Sequence, residues 1–117
     1  MNFVTPQSVN HLMVEAQELN LYTKLITQIS KDFTLANETL VVTETALPND
    51  LFNIVQHRIY YLLHHEFAQY LNLLYIIDVA EDAIKKLDGS DLLQLSKEVA
   101  FLILKREWQK VWFRNFY

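Results

Sequence analysis

Gly89 is the only glycine in 117 residues, and Pro6 and Pro48 are the only prolines. Folds with many tight turns draw on both residue types, glycine for positive φ and proline for a preset φ. So sparing a use argues against a β-sandwich or barrel and leaves long segments joined by few connections. Apolar residues make up 51% and charged residues 21%, enough apolar surface to drive a core and too much for a disordered chain. The length suits one domain, residues 1–117, and is short for two.

The long segments carry helical spacing. Val9, Leu12, Ala16, Leu19, Tyr22, Ile26, Ile29 and Phe33 recur at steps of three and four, which predicts a helix over about 6–31 opened by Thr5-Pro6. Phe52, Val55, Ile59, Leu62, Leu63, Tyr70, Leu73 and Ile77 predict a second over about 50–76, with Asp50 as its N-cap. Asp78-Val-Ala-Glu81 reads as a capping box before a short helix at about 79–87, and Asp88-Gly89-Ser90-Asp91 as a turn and cap before a last long one. Between residues 32 and 49, TLVVTETALPND favours extended chain. The expectation is an all-α bundle of three long helices and one short one, with a long, partly extended connection at 32–49. The alternative is α+β, with a short strand pair near 40–45 and 73–78.

The last helix has apolar residues on more than one face. Leu92, Leu95, Val99, Leu102 and Ile103 fall on one side, and Leu93, Ala100, Phe101, Leu104, Trp108, Val111 and Trp112 on another. Such a helix is central in its own bundle or shared with a second subunit. The second option predicts a homodimer through Leu93, Phe101, Leu104, Trp108, Val111, Trp112 and Phe116.

Several chemistries are excluded or weakly supported. There is no cysteine, hence no disulfide, thiolate nucleophile or cysteine-bound metal. One glycine provides no phosphate-cradling loop, and no G-x-S-x-G elbow surrounds any serine. His57, Tyr61 and His64, followed by His65-Glu66, sit one and two turns apart, and His11 and Glu15 share that spacing. Two such rows facing each other form the alternative reading, a ligand- or metal-binding bundle with possible acid–base chemistry at Glu66. Against it, the histidines lie off the apolar stripes, Glu-x-x-His occurs nowhere, and His65-Glu66 lacks the second histidine of a zincin. Glu66 stands where the second stripe calls for an apolar residue, so it must be paired, protonated or at the rim. Asp78, Glu81, Asp82, Asp88 and Asp91 cluster without the ligand ladder of an EF-hand.

Trp112-Phe113-Arg114-Asn115 is similar to the WF-x-N of a homeodomain recognition helix. A homeodomain places a turn and a basic arm before that motif, and neither is here. A third reading gives the basic tail, Lys105, Arg106, Lys110 and Arg114, weak nucleic-acid binding, which a formal charge of −4 disfavours. The opening residues lack the basic-then-apolar order of a signal peptide, and the longest charge-free apolar run, Phe67 to Ile77, is too short to span a bilayer. The sequence therefore reads as a non-catalytic, cytoplasmic interaction or oligomerisation module, with no cofactor and no membrane partner expected.

Overall fold

The computed structural model describes residues 2–117. The protein is all-α, and its order is α1 (Val9–Glu18), α2 (Tyr22–Leu35), α3 (Pro48–His65), α4 (Phe67–Ile77), α5 (Glu81–Lys85) and α6 (Leu92–Phe116). At 1.5 Å per residue, the 25 residues of α6 span about 37 Å, which matches the longest dimension of the molecule, 38 Å. The other long helices pack around it: α1, α2, α3 and α4 all contact α6, and α3 does so most extensively.

This arrangement resolves the excess of apolar residues on the last helix. Ser96, Val99, Ala100, Ile103, Leu104, Glu107, Trp108, Val111 and Trp112 are all buried within the one chain. Four residues assigned above to a subunit interface, Leu104, Trp108, Val111 and Trp112, are core residues instead, because helices arrive on several sides of α6. Phe101 is half-buried under the Lys105 ammonium, 4.8 Å from its ring centroid. Only Leu93 and Phe116 are substantially exposed, at 47% and 39%.

Two of the expected long helices are each broken in two, and one device accounts for most of the stops. At the end of α1, Asn20 turns left-handed with φ 57°, Leu21 N–H donates to Ala16 O at 2.8 Å, and Asn20 N–H donates to Gln17 O at 3.1 Å. That pair of bonds is a Schellman closure. Asn37 (φ 63°) closes α2 with Glu38 N–H on Phe33 O and Asn37 N–H on Thr34 O, at 2.8 and 2.9 Å. Asp78 (φ 71°) closes α4 with Val79 N–H on Leu74 O and Asp78 N–H on Tyr75 O, at 3.0 and 3.1 Å. A chain with one glycine thus makes its left-handed stops from Asn and Asp, the other residues whose short polar side chains tolerate that region.

The caps differ accordingly. Ser8, not Thr5-Pro6, opens α1, its Oγ accepting from His11 N–H at 3.0 Å. Pro48 occupies the first turn of α3, so Leu47 is the N-cap and Asp50 lies within that turn. Asp78 ends α4 and does not start α5, whose N-cap is Ala80, so no capping box forms. Asp91 caps α6 as its position suggested, accepting from Leu93 and Gln94 N–H.

No strand forms among the described residues: 73–77 belong to α4, and 40–45 are irregular. The connection at 37–47 is anchored by side chains in place of backbone pairing. Tyr22 donates its hydroxyl to Ala46 O at 2.6 Å. Glu38, buried, takes the Arg58 guanidinium at 3.2 Å and the Gln69 amide at 2.9 Å. The break between α3 and α4 falls at Glu66 (φ −145°, ψ 67°), and it lets α4 fold back over α2 and α6 while still touching α3. No glycine or proline stands at that bend.

Candidate functional site

Glu66 is exposed at that bend and accepts nothing from its side chain. The stripe position it occupied on a continuous helix does not exist, since the bend rotates everything after it. His57, Tyr61, His64 and His65 are exposed too. His64 stacks edge-on with Tyr60, and His65 tilts against Tyr61. His57 borders a shallow groove with Val41, Val42 and Ile54. His11 lies far along the chain on α1, its Nε2 3.9 Å from Glu15. Among the described residues no three His, Asp or Glu side chains converge on a point that could hold a metal ion.

Besides Glu38, which Arg58 and Gln69 hold, two buried carboxylates lie on the seam between α2 and α6. Asp32 is nearly buried and Glu107 is fully so. Lys110 places its Nζ 2.7 Å from Asp32 Oδ2 and 3.1 Å from Glu107 Oε1. Gln28 donates to Asp32 Oδ2 at 3.1 Å, and Arg114 donates to Gln28 Oε1 at 2.8 Å. A turn further on, Lys24 donates to Asn115 Oδ1 at 2.7 Å. Residues 24, 28 and 32 are one turn apart on α2, so the contacts form a polar row along two antiparallel helices.

Charge on this row is settled by proton sharing. Burial, then the neighbouring Asp32, pushes the Glu107 carboxyl up to about 9, so at neutral pH it is protonated. As a carboxylate Glu107 lacks well-directed donors; as an acid it donates to Asp32. Burial would raise Asp32, but hydrogen bonds from Glu107, Lys110 and Gln28, with the Lys110 charge, hold it below its ordinary value. One ammonium then balances one carboxylate. Such a dyad resembles acid–base machinery, but Glu107 has no solvent-accessible surface, so no substrate reaches it. Sequence signals for the pair existed: Glu107 lies four residues from both Ile103 and Val111, and Asp32 sits between Ile29 and Phe33.

The basic tail is likewise occupied within the chain. Arg106 donates from Nε to Asp78 O at 3.1 Å and from Nη2 to Asp78 Oδ2 at 3.0 Å. Lys110 and Arg114 belong to the polar row, and Lys105 covers Phe101.

Among the exposed apolar side chains of the described residues, which include Phe113, Phe116 and Tyr117 at the end of α6, one set forms a row along α4. Phe67, Leu71 and Tyr75 stand at i, i+4 and i+8 and are 56%, 50% and 81% exposed. The other side of the helix, Tyr70, Leu73, Leu74 and Ile77, is buried. Beside the exposed stripe runs a groove of about 690 Å³ between α4 and α5, lined by Leu71, Leu74, Tyr75, Val79 and Ile84, with Glu81 and Lys85 at its edge. No protein family, curated protein or solved structure matches this chain.

Proposed function

We propose that the protein is a small non-catalytic interaction module that docks an apolar helix against α4. The observation that carries the reading is the exposed row Phe67, Leu71 and Tyr75 on a helix whose eleven residues include no charge. These three side chains expose on the order of 400 Å², the size of the largest apolar patch on a typical soluble monomer, which is often functional. A helix laid along α4 would read them as anchors one turn apart, and the adjacent groove offers depth for a bulky side chain. The proposed docking surface thus moves from α6, whose two tryptophans lie in the core, to α4. A cytoplasmic setting belongs to the same proposal: the chain has no cysteine, and among the described residues no helix is long and apolar enough to cross a membrane.

The test is amide chemical-shift mapping with an uncharged amphipathic helical peptide as probe. Shifts concentrated on residues 67–76 and on 79–84, and lost in Leu71→Glu, are the expected result. Shifts centred on the C-terminal turns of α6, or none at all, would contradict it.

A further inference from the structure

The exposed row of α4 is symmetric about its own midpoint in spacing and in residue type. Phe67 lies four residues before Leu71 and Tyr75 four residues after, so an aromatic ring stands about 6 Å along the axis on either side of one leucine. We infer that the helix docked against α4 is α4 of a second copy, packed antiparallel about a two-fold axis through Leu71. This rests on the reading of α4 as the docking face and names its occupant.

A two-fold axis sets each residue against a partner fixed by the register. Here Leu71 meets the partner's Leu71, and Tyr75 meets the partner's Phe67, so every contact in the row is apolar against apolar. Charge permits it. An isologous contact brings like charges together near its axis, and no Asp, Glu, Lys or Arg occurs from Phe67 through Ile77. Antiparallel packing also sets the positive N-terminal end of one α4 beside the negative C-terminal end of the other. The partner's Phe67 arrives next to Tyr75, at the mouth of the groove floored by Leu74, Val79 and Ile84. That groove is a receptacle the helix face alone would not provide.

Area sets the strength. A stable dimer buries about 800 Å² on each partner, whereas the exposed row supplies on the order of half of that. The association is therefore reversible and concentration-dependent, and dilution separates the copies.

The chain has no cysteine, so single cysteines report this geometry without background. Leu71→Cys, a substitution at a half-exposed site, should convert to a disulfide-linked dimer under mild oxidation at high micromolar protein. Phe67→Cys and Tyr75→Cys should each cross-link slowly alone and quickly when mixed, as the antiparallel register requires. Leu93→Cys, exposed on α6, is the control and should stay monomeric. Equal cross-linking at 71 and 93, or faster pairing of Phe67→Cys with itself than with Tyr75→Cys, overturns the two-fold. A protein that stays monomeric at that concentration but whose α4 amides shift with the uncharged helical peptide overturns the second copy and leaves the docking reading standing. A monomer that ignores the peptide overturns both.

Discussion

Glu107 shows how a single residue writes a pH dependence into the fold. Its carboxyl titrates near 9 in the folded protein and near the ordinary 4.5 when unfolded, so between those values the folded state holds a proton that the unfolded state has released. Stability therefore falls as pH rises through that window, by at most about 1.4 kcal/mol per pH unit, and this contribution levels off above it. Asp32 acts in the opposite sense. Its folded value lies below the ordinary one, so the stability it adds is present above the ordinary Asp range and is lost as pH falls through its folded value. Glu107→Gln keeps the shape and a hydrogen-bond donor for Asp32 but cannot ionise. Thermal melts should show the wild type losing stability from pH 5 to pH 8 while Glu107→Gln stays nearly flat and melts higher at pH 8, by at least about 5 °C. Parallel profiles for the two proteins would show that Glu107 is ionised in the fold. Apolar spacing could have placed both carboxylates on buried stripes, Glu107 between Ile103 and Val111 and Asp32 between Ile29 and Phe33. It could not say that they meet, because which faces of α2 and α6 pack together is set by tertiary structure. Glu66 drew attention for the same periodic reason and proved to be exposed, because the chain bends there.

At the level of elements, the helical stripes and the stop near Asp78 were legible, and the interruptions at Asn20 and Glu66 were not. The apolar spacing of residues 9–33 and 52–77 is real, and it continues across a stop because both helices of each pair bury their apolar residues in the same core. Asn20 and Asn37 looked like ordinary polar positions and Asp78 like the cap of the next helix; their left-handed backbone appears only when the Schellman bonds are in place. The demand at these sites is conformational, so it can be tested by residue type. Asn37→Gly should be neutral or stabilising by a few tenths of a kcal/mol, whereas Asn37→Val should cost about 1–2 kcal/mol by chemical denaturation. Equal stability of the two variants would mean that the closure contributes nothing. Asp78 is a less clean site for the same test, since its carboxylate and carbonyl also hold Arg106. The extended character of 37–47 was visible in its Thr and Val content, but its anchors, Tyr22, Arg58 and Gln69, reach in from three different helices.

For the molecule as a whole, the decisive fact is that α6 is wrapped by its own chain. The apolar residues of the C-terminal helix left two options open, the centre of its own bundle or a face shared with a second subunit. The helix is the axis of the bundle, with Trp108 and Trp112 in the core, with Arg106, Lys110 and Arg114 engaged by Asp78, Asp32 and Gln28, and with Phe113, Phe116 and Tyr117 exposed at its end. That enclosure leaves an exposed apolar row on α4, one that patterning alone could not separate from core because Gln69 and Asn72 are the only polar residues of the segment 67–77 and no charge marks its outer face. Sedimentation equilibrium of the wild type and Leu71→Glu, compared over a wide concentration range, tests the account most directly. The weight-average mass of the wild type should rise from 13.9 kDa toward twice that value with concentration, while Leu71→Glu stays at the monomer mass with an unchanged melting temperature. A wild type that remains monomeric throughout, or a Leu71→Glu variant that associates as the wild type does, would contradict the assignment of α4 as the face through which this protein meets a second copy of itself.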